Sequence, residues 1–212
     1  MYTFQGSLGK PYLIKKAMDK SSNMMGSHPL PPLVFLTDKA RCANPLPVIE
    51  ALPPGTAVVL RDYRAKDREK LATEIAGISR RNGLVFLVGA DQALARKVGA
   101  DGLHLPEWML MGEGRTLRFD ENWLITASVH NIQALRKAEA LGVDAVFLSA
   151  VFETKSHPGK EGLGIYRLQK LASQTDLPFY PLGGITERNL KRLPKMPNMA
   201  GIAGISFFTD EN

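Results

Sequence analysis

Near its carboxyl end the chain reads Pro181-Leu182-Gly183-Gly184-Ile185-Thr186 and then Gly201-Ile202-Ala203-Gly204-Ile205-Ser206. Each stretch has the form of a short buried strand that ends in small residues, whose backbone N–H groups stay accessible to an anion. The loops after strands seven and eight of a (β/α)8 barrel commonly hold a phosphate. The plainer alternative is a turn at the first glycine pair and close packing at the last glycines. Together, the two stretches favour a phosphate site at the end of a barrel.

Upstream of these stretches, apolar runs too short for helices recur along the chain. Amphipathic helical patterns separate most of them, for example at 67–81, 131–141 and 166–173. Near-continuous apolar strands between helices are typical of an α/β protein with a parallel sheet covered by helices. A count of eight runs predicts a (β/α)8 TIM barrel with strands at Leu33–Leu36, Ala57–Leu60, Leu84–Val88, Gly102–Leu105, Leu124–Ala127, Ala145–Leu148, Phe179–Leu182 and Gly201–Ala203.

The two ends of the predicted barrel depart from this regular alternation. Residues 1–31 combine a short helical pattern with a Ser-, Gly- and Pro-containing stretch, which predicts a partly flexible N-terminal extension and leaves 32–212 as the barrel domain. After the eighth strand only Phe207 to Asn212 remain, too few for a closing helix. We therefore expect the last helix to be missing, and an N-terminal helix or a partner subunit to cover that side. The link from Leu105 to Trp123 also contains too much glycine for a good helix.

Composition indicates an ordinary globular domain. The 212 residues, 44% of them hydrophobic, are enough to bury a full core. The single cysteine, Cys42, excludes an internal disulfide and a cysteine-built metal site, so we predict a cytoplasmic protein. No apolar stretch is long enough to span a membrane, and the net charge of +6 is spread over helix faces, so neither membrane nor nucleic acid is predicted as a partner. A homo-oligomer is left open.

Five short motifs follow one another along the second half of the chain, and their order and spacing are informative. They are Asp101-Gly102-Leu103-His104-Leu105, Ala127-Ser128-Val129-His130, Ala150-Val151-Phe152-Glu153-Thr154, Leu182-Gly183-Gly184-Ile185-Thr186 and Gly201-Ile202-Ala203-Gly204-Ile205-Ser206. Between Leu33 and Ser206 the chain resembles the thiamine phosphate synthase superfamily, which also contains thiazole tautomerases of the TenI type. The resemblance implies a barrel that binds a thiazole phosphate at its open end, with the phosphate held by Gly183, Gly184, Gly204, Ile205 and Ser206.

The resemblance also shows where this chain departs from the synthases, which join the thiazole to a hydroxymethylpyrimidine diphosphate and use Mg²⁺ to neutralise the leaving diphosphate. Synthases carry Asn-Asp after strand three and Asp after strand four, whereas this chain has Gly89-Ala90 and Met109. Of their Gln-x-Arg-x-Lys pattern after strand two, only Arg61 is kept, because Val59 and Tyr63 stand at the other two positions. The alternative is that the loop is shifted and Arg64 or Lys66 takes the place of the lysine. The magnesium site is therefore expected to be lost.

No metal site and no firm cofactor are predicted for this reason. Mg²⁺ is expected only if synthase activity is retained through a site rebuilt from Asp62, Asp91 and Glu107, since carboxylates are the ligands that Mg²⁺ requires.

The motifs around strand five resemble the tautomerase branch, in which the histidine matching His130 moves a proton on the thiazole ring. A histidine suits this task because its pKa lies near neutrality. We therefore predict His130 as the acid–base group, with Ser128 beside it. The alternative for His130 is a loop histidine without a catalytic duty. His104 alternates with Leu103 and Leu105 inside a strand, which favours a satisfied core histidine over a catalyst.

Two further regions are predicted to contact the substrate. Residues 153–164 form a long polar connection with the length and glycine content of a lid, or alternatively of an ordinary mobile loop, and Thr154, Lys155 and His157 lie in it. Arg61, at the end of strand two, is placed to bind a second anionic group at the barrel mouth.

The resulting expectation is a thiamine-biosynthesis protein that binds a phosphorylated thiazole, and the residues favour a thiazole tautomerase. The first alternative is a thiamine phosphate synthase with a rebuilt magnesium site. The second is a binder of thiazole phosphate, or of another phosphorylated ligand, without catalytic activity.

Overall fold

A computed structural model describes residues 30–112, 118–154 and 162–209, and it confirms the predicted (β/α)8 barrel. Its eight strands form one parallel sheet in the order β7-β6-β5-β4-β3-β2-β1-β8. The strands are β1 (Leu33–Leu36), β2 (Ala57–Leu60), β3 (Val85–Gly89), β4 (Gly102–Leu105), β5 (Leu124–Val129), β6 (Ala145–Ser149), β7 (Phe179–Leu182) and β8 (Ile202–Gly204).

Seven described helices alternate with the strands, and local signals in the sequence set several of their ends. Asp91 and Asn131 cap two helices by accepting hydrogen bonds from the backbone N–H of the third helical residue. Gly99 and Gly142 end the same two helices in the left-handed conformation. The helices are α1 (Leu46–Glu50), α2 (Arg68–Asn82), α3 (Gln92–Val98), α4 (Glu107–Met111), α5 (Ile132–Leu141), α6 (Gly164–Ala172) and α7 (Glu187–Leu190).

The glycine-containing link between β4 and β5 holds a helix of only five residues, α4. Met109 and Leu110 are buried there, and packing of these two side chains stabilises a turn that the local sequence would not favour by itself. The expectation of a poor helix in this link is therefore met in its length, although a short helix does form.

Closure of the barrel rests on both edge strands. β1 pairs with β8 in register, with Leu33 opposite Ile202. β7 meets the segment before β8 through the parallel bridge between Phe179 and Met199. No helix follows β8 within residues 205–209, where the Phe208 ring instead packs edge-on against Phe35 with 5.5 Å between ring centroids. The predicted helix in the N-terminal extension lies outside the described residues.

The hydrophobic core is divided between the inside of the barrel and the layer between strands and helices. Inside, Tyr180 is almost fully buried and donates its hydroxyl to the carbonyl oxygen of Pro31 at 2.8 Å. Pro31 precedes β1, so this bond lies at the amino end of the barrel. Within the described part of the chain, no helix is both long and apolar enough to cross a membrane.

Candidate functional site

The backbone after β7 has a conformation that only glycine adopts easily. Gly183 and Gly184 have φ angles of +101° and +64°. A Cβ at Gly183 would lie 2.7 Å from the Cβ of Ala150 and 3.3 Å from Cγ2 of Thr154, and one at Gly184 would overlap the carbonyl of Glu153. A side chain at either position would thus displace the loop after β6. The structure places Thr154, one of the predicted substrate contacts, beside Gly183.

Two backbone amides of the predicted phosphate cup, those of Gly184 and Ser206, have no acceptor in the described part of the chain. Among the described residues, no hydrogen bond is formed by the backbone N–H of Gly184 or of Ser206. Gly184 and Ser206 are both half-buried, and they follow β7 and β8, which are neighbours where the barrel closes. Polar N–H groups without a protein partner at the carboxyl end of a barrel are suited to an anion. Phosphate binding by Gly183, Gly184, Gly204, Ile205 and Ser206 itself stays a prediction.

Two arginines share one carboxylate at the ends of β1 and β2. Nη2 of Arg61 donates to Oδ2 of Asp38 at 2.7 Å, and Nε of Arg41 lies 4.0 Å from the same oxygen. Nη1 of Arg41 also donates to the hydroxyl of Ser206 at 3.4 Å. Val59, two residues before Arg61 in β2, faces the barrel interior, so Arg61 extends that face into the mouth. Arg61 therefore follows β2 as predicted, while its binding of a second anionic group stays a prediction.

Inside the barrel, His104 links two hydroxyl groups of β5. Its Nδ1 and Nε2 atoms lie 2.9 Å from the hydroxyls of Thr126 and Ser128 respectively, and its ring stacks on Phe147 with 4.8 Å between centroids. Burial, with a further contribution from the charge of Arg61, lowers the pKa of His104 to about 3. The ring is consequently neutral, and in either tautomer it orients the Ser128 hydroxyl. His104 is a satisfied core histidine, as its sequence pattern favoured.

The predicted catalytic pair, His130 and Ser128, is not joined by a hydrogen bond in this structure. Ser128 is bound to His104, whereas Nδ1 of His130 contacts the Glu107 carboxylate at the start of α4. The other oxygen of Glu107 accepts a hydrogen bond from Nδ2 of Asn131 at 2.6 Å. The His130 side chain is 50% exposed. A carboxylate that orients a half-exposed histidine is an arrangement suited to proton transfer.

A different arrangement is found at the ends of β3 and β4, where synthases place their metal ligands. Tyr63 packs on Gly89 so closely that a Cβ at Gly89 would lie 2.8 Å from the tyrosine ring. Burial raises the pKa of the Tyr63 hydroxyl, so it stays protonated at neutral pH. Asp91 caps α3 with one oxygen and accepts a hydrogen bond from Arg68 with the other at 3.3 Å.

The carboxylates from which a magnesium site could be rebuilt are already engaged by donors. Asp91 and Glu107 have the partners described above, and Asp62 accepts a hydrogen bond from the backbone N–H of Lys39 at 2.8 Å. Across residues 30–112, 118–154 and 162–209, no three His, Cys, Asp or Glu side chains form a group that could hold a metal ion. The residues present therefore do not fit the Mg²⁺ that the resemblance implies for synthases.

Some residues near the candidate site were not predicted from the sequence, and some predicted ones lie outside the described residues. Lys155 and His157 lie outside the described residues, and their contact with substrate stays a prediction. Arg41 and Asp38 were not predicted as site residues, although they follow β1, which neighbours β8 in any closed eight-stranded barrel. That adjacency was the available signal.

Comparisons with known proteins bear on the family and the fold of this chain. The family model described as thiamine monophosphate synthase matches residues 33–208. An Aquifex aeolicus protein named "Putative thiamine-phosphate synthase 2" is 34% identical over 167 residues, which cover 76% of this chain and 89% of that protein. A Prochlorococcus marinus protein named thiamine-phosphate synthase is 32% identical over 146 residues, covering 68% of this chain but only 41% of that longer protein.

Among solved structures, the thiamine phosphate pyrophosphorylase of Pyrococcus furiosus superposes with a TM-score of 0.66 and 26% identity, covering 83% of this chain and 86% of that one. The 2-keto-3-deoxy-6-phosphogluconate aldolase of Zymomonas mobilis, with 19% identity and a TM-score of 0.55, shares the fold alone. The names of the relatives support the synthase alternative better than the tautomerase that the motifs around His130 favoured.

Proposed function

The chain belongs to the thiamine monophosphate synthase family, and from this premise we propose that it is a transferase of the thiamine-phosphate synthase class. Its substrates would be a thiazole phosphate and a pyrimidine diphosphate. A bond forms between the thiazole ring nitrogen and the methylene carbon of the pyrimidine. The bond from that carbon to the diphosphate oxygen breaks, and the diphosphate leaves with the electron pair.

The observation that carries the proposal is that two kinds of group suited to bind anions follow strands at the same end of the barrel. Gly184 and Ser206 offer N–H groups on the side of β7 and β8, and Arg61 offers a guanidinium at the end of β2. The joining of two phosphorylated molecules requires two such groups, one for the phosphate that is retained and one for the diphosphate that leaves. The synthase names of the relatives support group transfer as the reaction.

Arg61 is the residue assigned to the leaving diphosphate. Its guanidinium is held by Asp38 at 2.7 Å and is 31% exposed, so it is oriented yet accessible. A fixed guanidinium stabilises charge that develops on phosphate oxygens. In the described part of the chain, no group of three His, Cys, Asp or Glu side chains could hold a metal ion for that purpose. Ser128, oriented by the neutral ring of His104, is the polar group of the interior that lies closest to the mouth on β5.

Thiazole tautomerisation is the second candidate, and the contact between Glu107 and His130 is the observation that favours it. In that reaction His130 removes a proton from one position of the ring and returns it at another. The phosphate cup would hold the same phosphate, and Arg61 would bind the carboxylate of the substrate instead of a diphosphate.

Three incubations of the purified protein separate the candidates. We expect thiamine phosphate when thiazole phosphate and pyrimidine diphosphate are both supplied, and none when either is left out. Arg61→Met should lower the rate by about 10²-fold, the scale of losing a charged contact in the transition state. Arg167→Met, an equal loss of charge on the exposed face of α6, should leave it unchanged. Conversion of the unsaturated thiazole tautomer without any coupling would favour the second candidate, and binding without turnover would favour a non-catalytic binder.

A further inference from the structure

Arg41 lies in the loop after β1, and nothing in the synthase pattern described above calls for a charged residue there. Its side chain is only 16% exposed. The guanidinium reaches a residue 165 positions away in sequence, because Nη1 lies 3.4 Å from the hydroxyl of Ser206 at the end of β8. A long cationic side chain is thus held, mostly buried, at the edge of the predicted phosphate cup.

Arg41 shares its carboxylate partner with a second guanidinium. Arg41 and Arg61 both approach Oδ2 of Asp38, at 4.0 and 2.7 Å, so two guanidinium groups share a single carboxylate. The shorter contact belongs to Arg61, and the longer one leaves Arg41 only weakly compensated. Placing an incompletely paired cation in a mostly buried position costs free energy, which an anionic ligand would recover.

The groups near Arg41 are those that recognise phosphate. Ser206 supplies a hydroxyl to Arg41 and a backbone N–H that has no acceptor among the described residues, and the same is true of the Gly184 N–H. A guanidinium beside a hydroxyl and free N–H groups binds phosphate oxygens through charge-assisted hydrogen bonds.

We propose that Arg41 closes the phosphate cup on the β1 side and binds the phosphate monoester of the substrate, together with Ser206 and Gly184. This inference rests on the proposed function for the identity of the ligand, a thiazole phosphate. It adds a side-chain charge to a cup that the sequence motifs describe as backbone alone. The two arginines that contact Asp38 then have different roles. Arg61 binds the leaving diphosphate, and Arg41 binds the phosphate that remains in the product.

Isothermal titration calorimetry with three probes tests the assignment: thiazole phosphate, the same thiazole without its phosphate, and inorganic phosphate. Arg41→Met should weaken binding of thiazole phosphate by about 10- to 50-fold, as expected for losing a charge-assisted contact, and weaken inorganic phosphate in parallel. Affinity for the unphosphorylated thiazole should not change. Arg41→Lys should restore part of the loss, and Arg167→Met, the matched loss of one exposed charge, should bind all three probes like the unmodified protein.

Two results would overturn the inference. One is an equal affinity of Arg41→Met and Arg167→Met for thiazole phosphate; the other is a loss that is as large for the unphosphorylated thiazole, which would mean that Arg41 only supports the fold. If Arg41→Met does not fold, Arg41→Lys supplies the same comparison, because it keeps the charge but cannot reach Asp38 and Ser206 together. These binding results are independent of turnover: absence of thiamine phosphate in the coupling assay would remove the proposed function while leaving Arg41 as a phosphate ligand.

Discussion

The two sides of the barrel mouth differ in what lines them. The β7–β8–β1 side has glycine backbone and an arginine, whereas the β3–β4 side has a packed tyrosine ring where synthases carry polar ligands. Gly183 and Gly184 have positive φ angles and present only backbone to the first region. The guanidinium of Arg41 lies at its edge, beside Ser206. In the second region the Tyr63 ring lies on Gly89, and Asp91 is committed to a helix cap. The region predicted to hold the phosphate is therefore shaped by glycine conformation, while the region where synthases would hold a metal contains a packed ring and a carboxylate that caps a helix.

The glycine conformation after β7 should produce the largest effect. Gly183→Val combines a left-handed φ with a contact of 2.7 Å to Ala150, so we expect the free energy of unfolding to fall by roughly 3 kcal/mol. Among molecules that remain folded, affinity for thiazole phosphate should fall by at least ~2 kcal/mol. Urea denaturation and calorimetry measure the two quantities.

Gly99→Val is the matched control for this prediction. Gly99 also has a left-handed φ, of +65°, but a Cβ there would meet nothing within 4 Å. The free energy of unfolding of Gly99→Val should fall by only about 1–2 kcal/mol, the cost of the unfavourable φ angle, and the variant should bind thiazole phosphate normally. An equal fall in the free energy of unfolding in the two variants, with unchanged affinity in Gly183→Val, would show that the loop after β7 does not bind the phosphate.

The edge between the two regions carries His130, and its removal should have the next largest effect. If tautomerisation is the activity measured, His130→Ala should lower turnover by about 10²-fold with little change in phosphate affinity. Glu107→Gln, which removes the charge that orients His130, should lower it by roughly 10-fold. A well-folded His104→Ala that is inactive, beside an active His130→Ala, would reverse the assignment of the two histidines.

His104 should make stability depend on pH. Its pKa is about 3 in the folded protein and close to 6.5 when unfolded, so the unfolded chain takes up the proton first as the pH falls. The contribution of His104 is complete above pH 6.5 and is lost between pH 6.5 and 3. By pH 5 the loss should reach about 2 kcal/mol.

The measurement compares the slope of unfolding free energy against pH in the unmodified protein with that in His104→Gln, where this part should be absent. Identical slopes would mean that folding does not lower the pKa of His104, contrary to its burial and its contacts with Thr126 and Ser128.

The smallest expected effect concerns Mg²⁺ on the β3–β4 side. Without diphosphate present, millimolar Mg²⁺ should raise Tm by less than about 1 °C, because a ligand that does not bind the folded state cannot stabilise it. Electron paramagnetic resonance of Mn²⁺ provides a direct check on binding. A saturable shift in Tm that disappears in Asp91→Ala would establish a rebuilt metal site and weaken the contrast between the two sides.

The strands could be predicted from the sequence because each is a short apolar run bounded by turn residues, and four of the eight have the predicted bounds. The end of β5 was placed too early, since Ser128 and Val129 continue the strand, with Ser128 held by the side chain of His104. Periodicity records burial and does not detect such a polar contact. It is equally blind to α4, which depends on tertiary packing of Met109 and Leu110.

The candidate site could be predicted where backbone conformation carries it, and not where distant side chains meet. The glycines after β7 and at the end of β8 are enough to predict these two loops from the sequence. The pairing of Arg41 with Ser206 joins residues that only barrel closure brings together, and the packing of Tyr63 on Gly89 depends on two loops at once. Local periodicity does not record such contacts; only the expected adjacency of β1 and β8 in a closed barrel pointed to the first of them.

The hydrogen bond from Tyr180 to Pro31 bears on where the barrel can be cut. The tyrosine hydroxyl is sealed inside, and its acceptor belongs to the segment before the first strand. A chain shortened to begin at Leu33 would keep every strand yet leave that hydroxyl without an acceptor, at a cost of about 1–3 kcal/mol. The stabilising contacts at the amino end of the barrel therefore begin at Pro31, two residues before β1. The strand boundaries alone are a poor guide to the smallest fragment that folds.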